Sequence, residues 1–399
     1  MRRLVAAAAV TTVGLLVPFG GVATAGPGQA TGSVTLDPFG IAAKSGSARQ
    51  VATGHQQALT DAAPVIVASG LNNPRQLALT PTHGLLVGEA GRGGDSCVAL
   101  PEGAESPETC VGMTGSVSWV PVPALQSSPG SARVVTGLPS RAARNGSNAT
   151  GSSGVSGNLL DMYVTTVPAP PVDVPGVDTA TFGKLLGVRY LGAKHVLADV
   201  TGYEYANNPD GQDADSNPYA VLKLRDRVLV ADAAANTILQ YRDGTLSTFA
   251  VLPTVNDGSC AGLPNQGGAV GCDFVPDAMA VGPDGGIYVS ALTNLSPGTG
   301  QVAKLNPRSG QVVQTFRGLS AAHGVAVGPD GSVYASQLFA GSVVRFAPDG
   351  TRTEIRVPFP AGLAVDGRNL YVSAYSIAPA TGLGIPGIDS SGQVWRVQV

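Results

Sequence analysis

The chain has 399 residues, of which 43% are hydrophobic and only 13% charged. That is too apolar and too weakly charged for a chain disordered throughout. The net charge of −3, with no cluster of Lys or Arg, argues against a nucleic-acid partner, since nothing would neutralise a run of phosphates. The 54 Gly and 30 Pro instead suit many turns between short strands.

In chain order, the first element is a leader. "MRR" is a basic start, "LVAAAAVTTVGLLV" an apolar stretch too short to span a bilayer comfortably, and Ala23-Thr24-Ala25 a small-x-small cleavage site. Residues 1–25 therefore read as a signal peptide and the protein as secreted. No later apolar run is long enough for a membrane helix. Residues 26–60, rich in Gly, Ala, Ser, Thr and Gln, read as a flexible arm.

From residue 61 to 399 one phrase recurs: an apolar strand, a Gly/Asp turn, a second apolar strand. "NPRQLALTPTHGLLVGE" (73–89) is the first copy. A degenerate one follows at "GSSGVSGNLLDMYVTT" (151–166), then "NPYAVLKLRDRVLVAD" (217–232), "VPDAMAVGPDGGIYVSA" (275–291), "AAHGVAVGPDGSVYASQ" (321–337) and "FPAGLAVDGRNLYVSA" (359–374). Each leads to a third strand, such as "GSVSWV" or "GQVWRV", and all but the last to a fourth, such as "ARVVTGL" or "TRTEIRV". Four short strands repeated six times predict an all-β, six-bladed β-propeller with almost no helix. The last copy lacks its fourth strand, and "PVIVASGL" (64–71) can supply it. An open ring would expose strand edges, so Val65–Ala68 is expected to pair with Val394–Val397 and close the ring.

Cys97, Cys110, Cys260 and Cys272 form two local pairs without CxxC spacing or a nearby His. Disulfides 97–110 and 260–272 are expected in an oxidising compartment.

These phrases resemble the NHL and gluconolactonase-like six-bladed propellers. Over "GLNNPRQLALTPTHGLLVGEAGRGGDSC", "TGSVSWV", "RVVTGLPS" and "ANNPDGQDADSNPYAVL" the chain looks like the ScyD/ScyE family, propeller proteins named for the scytonemin gene cluster of cyanobacteria. The resemblance covers residues 64–399 and implies a secreted propeller, with no established catalytic residues to carry over. The second copy departs from the pattern, reading "GSSGV" where a Pro-His-Asp run is typical of the family.

In a propeller, the start of each innermost strand faces the central channel. Aligning the copies puts Arg75, Ser153, Tyr219, Asp277, His323 and Ala361 at one such position. A second set follows each second strand: Glu89, Thr166, Asp232, Ala291, Gln337 and Ala374. They read either as ordinary polarity at a solvated rim or as a ligand-binding mouth. The binding residues would then be Arg75, Glu89, Tyr219, Asp232, Asp277, His323 and Gln337. The expected function is non-catalytic binding of a small molecule or an extracellular protein, by a monomer. The alternative is a metal-dependent lactonase or esterase. Gluconolactonase-like propellers hold a divalent ion in the channel, for which Glu89, Asp232 and Asp277 would supply oxygens, with His323 and Asp277 as base and orienter.

Asp213, Asp215 and Asn217 match the start of a D-x-D-x-N calcium loop. Pro218 stands where an EF-hand needs Gly, and Leu224 where it needs Glu, so an EF-hand is excluded. A bare calcium loop and a set of Asx turns both remain open.

Overall fold

The computed structural model describes residues 63–399 apart from 83, 102–105, 123–129 and 190–191. The leader and the arm, residues 1–60, lie outside the described residues.

Alternating apolar residues and PDG-type turns fold into hairpins, as at Pro283-Asp284-Gly285. There the Gly282 N–H donates to the Gly286 carbonyl, and Gly285 takes a φ of 78° that a β-carbon would resist. Six antiparallel sheets result among the described residues. Sheet 1 holds Pro74–Leu79, Leu85–Glu89, Glu108–Val120 and Ala132–Ala142, with Ser96–Ala99 added against the long third strand. Sheet 2 holds Val155–Asn158, Asp161–Thr165, Lys184–Arg189 and Ala193–Asp199. Sheet 3 holds Pro218–Lys223, Val228–Asp232, Thr237–Arg242 and Thr245–Val251. Sheet 4 holds Pro276–Val281, Ile287–Ala291, Gly300–Leu305 and Val312–Leu319. Sheet 5 holds Ala322–Val327, Val333–Gln337, Ser342–Phe346 and Arg352–Arg356. Sheet 6 joins Leu363–Asp366, Asn369–Ala374 and Gly392–Gln398 to the early strand Val65–Leu71. In that last pairing Val65 lies opposite Arg396, Ile66 opposite Trp395 and Ala68 opposite Val394.

The arrangement is that of a β-propeller. The apolar core is divided into layers, each between consecutive sheets. Leu229, Ile238, Met279 and Ile287 fill the layer between sheets 3 and 4, and Ala68, Leu71, Leu77, Val87, Tyr371 and Val394 that between sheets 6 and 1. Tyr288, Tyr334 and Tyr371, which repeat at one strand position, all lie in these layers. Cys97 and Cys110 face each other across paired strands and are bonded, as are Cys260 and Cys272.

One element departs from the expectation of almost no helix. Helix α1 (Val200–Asn207) follows the outer strand of sheet 2. The Asp199 carboxylate caps it, accepting the Gly202 N–H at 2.8 Å. Only Val200 and Glu204 on it are buried, so no apolar stripe marks it in the sequence.

Candidate functional site

Each innermost strand is entered in the same way. The residue two before the aligned channel position accepts a backbone hydrogen bond from the residue just past the second strand. The pairs are Asn73–Ala90, Gly151–Val167, Asn217–Ala233, Val275–Leu292, Ala321–Leu338 and Phe359–Ser376, at 2.9–3.3 Å. In four of them the first residue is left-handed: Asn73 (φ 50°), Val275 (53°), Ala321 (49°) and Phe359 (41°). Such strain costs about 1–3 kcal/mol per residue and persists only where the surroundings impose it. The strand pairing then skips one residue. Tyr219, Asp277 and His323 are each bulged out, and the first sheet slips likewise between Pro74 and Leu77, around Arg75. A bulge re-aims its side chain.

Four residues at the aligned channel position are held from the neighbouring sheet. Thr165 Oγ1 donates to the Tyr219 carbonyl (2.9 Å), Ser290 Oγ to that of His323 (3.0 Å), Ser336 Oγ to that of Ala361 (2.7 Å) and Ser373 Oγ to that of Arg75 (2.7 Å). All four hydroxyl residues are fully buried. Sequence reasoning passed over these staples. Their signal was a Ser or Thr recurring near the end of the second strand, in "VTT", "VSA", "ASQ" and "VSA".

The solvated-rim reading does not hold for the first set of residues. Arg75, Tyr219, Asp277 and His323 are 5%, 9%, 4% and 5% exposed, because the bulges turn them inward among one another. The Tyr219 hydroxyl and His323 Nε2 share a hydrogen bond of 2.9 Å, with the rings edge to face. Asp277 Oδ2 lies 3.8 Å from the same Nε2. Ser153 and Ala361 complete the set, both buried. Burial, and then the Arg75 charge, push the His323 ring down to about 3, so it is neutral. Burial holds the Asp277 carboxyl well above the usual range, with Arg75 pulling it partway back. Burial likewise takes the Tyr219 phenol up to about 12. The hydrogen bonding is incomplete. Arg75 Nη2 donates to the Ala149 carbonyl at 2.6 Å, but Arg75 Nε and Nη1 and Asp277 Oδ2 are buried without a partner.

The second set is not brought to this cluster. Glu89 accepts from the Asn72 N–H, Ser118 Oγ and Arg133. Asp232 accepts from the Asn217 N–H (2.6 Å) and Ser216 Oγ (2.7 Å), and burial lifts its carboxyl to about 7. Gln337 accepts the Ser320 N–H at 2.7 Å and donates to Ser342. These side chains tie down the loops that enter the innermost strands. Among the described residues no three acidic, histidine or cysteine side chains stand where they could hold a cation, so Glu89, Asp232 and Asp277 do not come together as a ligand set. The residues present do not fit the metal-dependent centre expected of a gluconolactonase-like channel.

The calcium-loop residues are divided. Asn217 spends its backbone in the entry to sheet 3, donating to Asp232 and accepting from Ala233. Asp213 and Asp215 stay on the loop, where the Asp215 carboxylate accepts the Ser216 N–H at 2.8 Å. Sequence reasoning missed one wholly buried carboxyl residue, Glu204 of helix α1. It lies in a helix that sequence reasoning did not find.

No family model matches the sequence, and no curated protein does. Solved structures of similar fold include a streptogramin B lyase (11% identity, TM-score 0.47, covering 84% of this chain and 97% of that one). The PQQ-bound aldose sugar dehydrogenase of Streptomyces coelicolor is similar too (11%, 0.48, 84% and 96%). So is regucalcin, a calcium-binding protein of Agrobacterium tumefaciens (11%, 0.44, 84% and 93%). At these scores no chemistry passes from any of them to this chain.

Proposed function

We propose that the chain is a secreted, monomeric, six-bladed propeller of the ScyD/ScyE kind, closed by its first strand, that binds a small polar molecule at the ring of Arg75, Tyr219, Asp277 and His323. The observation that carries the reading is the set of unbonded buried atoms, Arg75 Nε and Nη1 and Asp277 Oδ2. A buried polar atom left unpaired costs about 1–3 kcal/mol, more when charged, so a ring built this way is poised for a partner. A molecule that offers a carboxylate or carbonyl oxygen to Arg75 and a hydroxyl or N–H to Asp277 completes it. Hydroxy acids and hydroxylactones are the chemical class. An extracellular protein is the poorer partner, since the ring is too buried for a protein surface to reach. The leader pattern and the two disulfides support the secreted location.

A second reading, hydrolysis of an ester or lactone at the same ring, draws on one observation. Burial holds the Asp277 carboxyl well above the usual range, which suits it to donate a proton while Arg75 stabilises a carbonyl oxygen.

The test is a melting-temperature screen of hydroxy acids, lactones and sugar acids. A ligand at 100 times its dissociation constant adds about 2.7 kcal/mol, a rise of about 3 °C or more. The rise should vanish in Arg75→Met and in Asp277→Asn. A panel that leaves the wild type unmoved, with both variants less stable than the parent, would make the ring a structural plug. Turnover of a binding lactone or ester, lost in Asp277→Asn, would select the second reading.

A further inference from the structure

Sheets 3 and 4 leave a groove at their outer margins. It consists of two clefts of about 580 and 520 Å³, joined where they share Pro253 and Val312. Each volume falls within the range of about 300–1,000 Å³ in which small molecules are bound. The first cleft lies between Phe249 and Val251 of sheet 3 and Gly310 and Val313 of the segment leading into the outer strand of sheet 4. Its floor is closed tightly, since Gly310 takes a φ of 71° and a β-carbon there would strike the Phe249 carbonyl. The second cleft is walled by Val255, Phe274, Gln301, Ala303, Thr315 and Arg317.

Both walls are built. The outer strand of sheet 4, Val312–Leu319, slips register twice against Gly300–Leu305, once between Val312 and Gln314 and once between Phe316 and Leu319. Val313 and Arg317 fall at these two slips, and both line the groove. The opposite wall, residues 253–257, is held by the Cys260–Cys272 disulfide and by Val255, which exchanges backbone hydrogen bonds of 2.8 and 2.9 Å with Cys272. The groove is therefore preformed, which spares a ligand the cost of ordering it. In its wall Gln301 is 6% exposed, and its Oε1 is buried without a hydrogen bond. A buried amide oxygen left bare is stabilised by any donor that reaches it. The charged residues that line the groove are Arg317 and Asp257, and they are paired with each other. A charged ligand would give up its hydration there for no opposite charge.

We propose that this groove binds a small uncharged molecule with an apolar body, which donates one N–H or O–H to Gln301 Oε1. The apolar body covers Val251, Val312 and Val313, which are otherwise 46%, 39% and 57% exposed. The chemical class differs from that proposed for the channel ring, where Arg75 calls for a carboxylate or carbonyl oxygen. The groove is separate from the ring and stands or falls independently of it.

Phenylnaphthylamine is a suitable dye, being uncharged and apolar, with a single N–H and a fluorescence that rises out of water. Its N-methylated counterpart lacks the donor. Titrated into the protein, the parent dye should give a saturable rise, and the N-methylated dye should bind about fivefold more weakly. Gln301→Leu should bind the two dyes alike. Val312→Trp, at the partly exposed residue common to both clefts, should fill them and abolish binding. The channel variant Arg75→Met should bind like the wild type. A wild type without saturable binding overturns the proposal, and so do two dyes of equal affinity for it or an undiminished gap between them in Gln301→Leu. Full binding by Val312→Trp would put the dye elsewhere and is equally fatal. So is sedimentation that shows a wild-type dimer excluding the dye and a monomeric Val312→Trp, which would assign the groove to a second copy of the chain. If Gln301→Leu does not fold, the two dyes on the wild type and Val312→Trp decide the matter.

Discussion

His323 and Asp277 are held in opposite departures from their usual protonation, and this sets two opposed pH dependences. His323 falls from 6.5 to about 3 in the fold. Between those values the unfolded chain binds a proton that the native ring does not. The stability contributed by the neutral ring is thus complete above pH 6.5 and lost as the pH falls. Asp277 is raised from 3.8, so the native state keeps a proton that the unfolded chain releases. Its contribution is complete below pH 3.8 and lost as the pH rises through the raised value. The histidine contribution changes by up to about 1.4 kcal/mol per pH unit within its window, and the aspartate contribution runs in the opposite sense as the pH rises above 3.8. The unfolding free energy of the wild type minus that of His323→Gln should grow between pH 4 and 6. The same difference for Asp277→Asn should shrink. Urea titrations at pH 4, 5 and 6 decide it, and differences that are flat or of like sign would refute the protonation states assigned here.

At the level of elements, the inner strands of sheets 1 and 5 are entered through a left-handed residue, slip register once, and are pinned by a hydroxyl of the sheet beside them, and the other sheets share some of these features. Ser336 shows the coupling. Its Oγ donates to the Ala361 carbonyl and accepts the Gly324 N–H at 2.7 Å, so one hydroxyl joins sheets 5 and 6. A β-carbon at Gly324 would strike the same carbonyl, which is why glycine stands there. Ser336→Ala would leave a buried donor and a buried acceptor unpaired and should cost about 2–4 kcal/mol. Denaturant unfolding measures it, and a loss below about 0.5 kcal/mol would show that the staple is dispensable. The six inner-strand repeats were legible because period-2 apolar runs and PDG turns are local. The bulges were not, since a skipped residue looks the same in sequence as a paired one.

For the whole molecule, the strand Val65–Leu71 matters out of proportion to its length. It covers the edge of Gly392–Gln398, and Leu71 is buried in the layer between sheets 6 and 1. Leu71→Ala should therefore cost about 2–5 kcal/mol, as for a central core leucine, although it lies at the very start of the described chain. Val65→Ala, at a residue 47% exposed, should cost under about 0.5 kcal/mol. Equal small losses in the two variants would mean that the pairing contributes little to holding the sheets together.

The sequence by itself determined the strands, their repetition in fours, the pairing of cysteines 13 and 12 residues apart, and the alignment of Arg75, Tyr219, Asp277 and His323. All of these follow from local pattern and spacing. Only the tertiary structure decided that those four side chains are buried against one another, whereas Glu89, Asp232 and Gln337 are spent on neighbouring loops. It alone left the Gln301 side-chain oxygen unpaired in the wall of a groove between sheets 3 and 4. Both outcomes turn on which polar atoms find partners when sheets pack, and hydrogen bonding between segments dozens or hundreds of residues apart leaves no periodic trace in the chain.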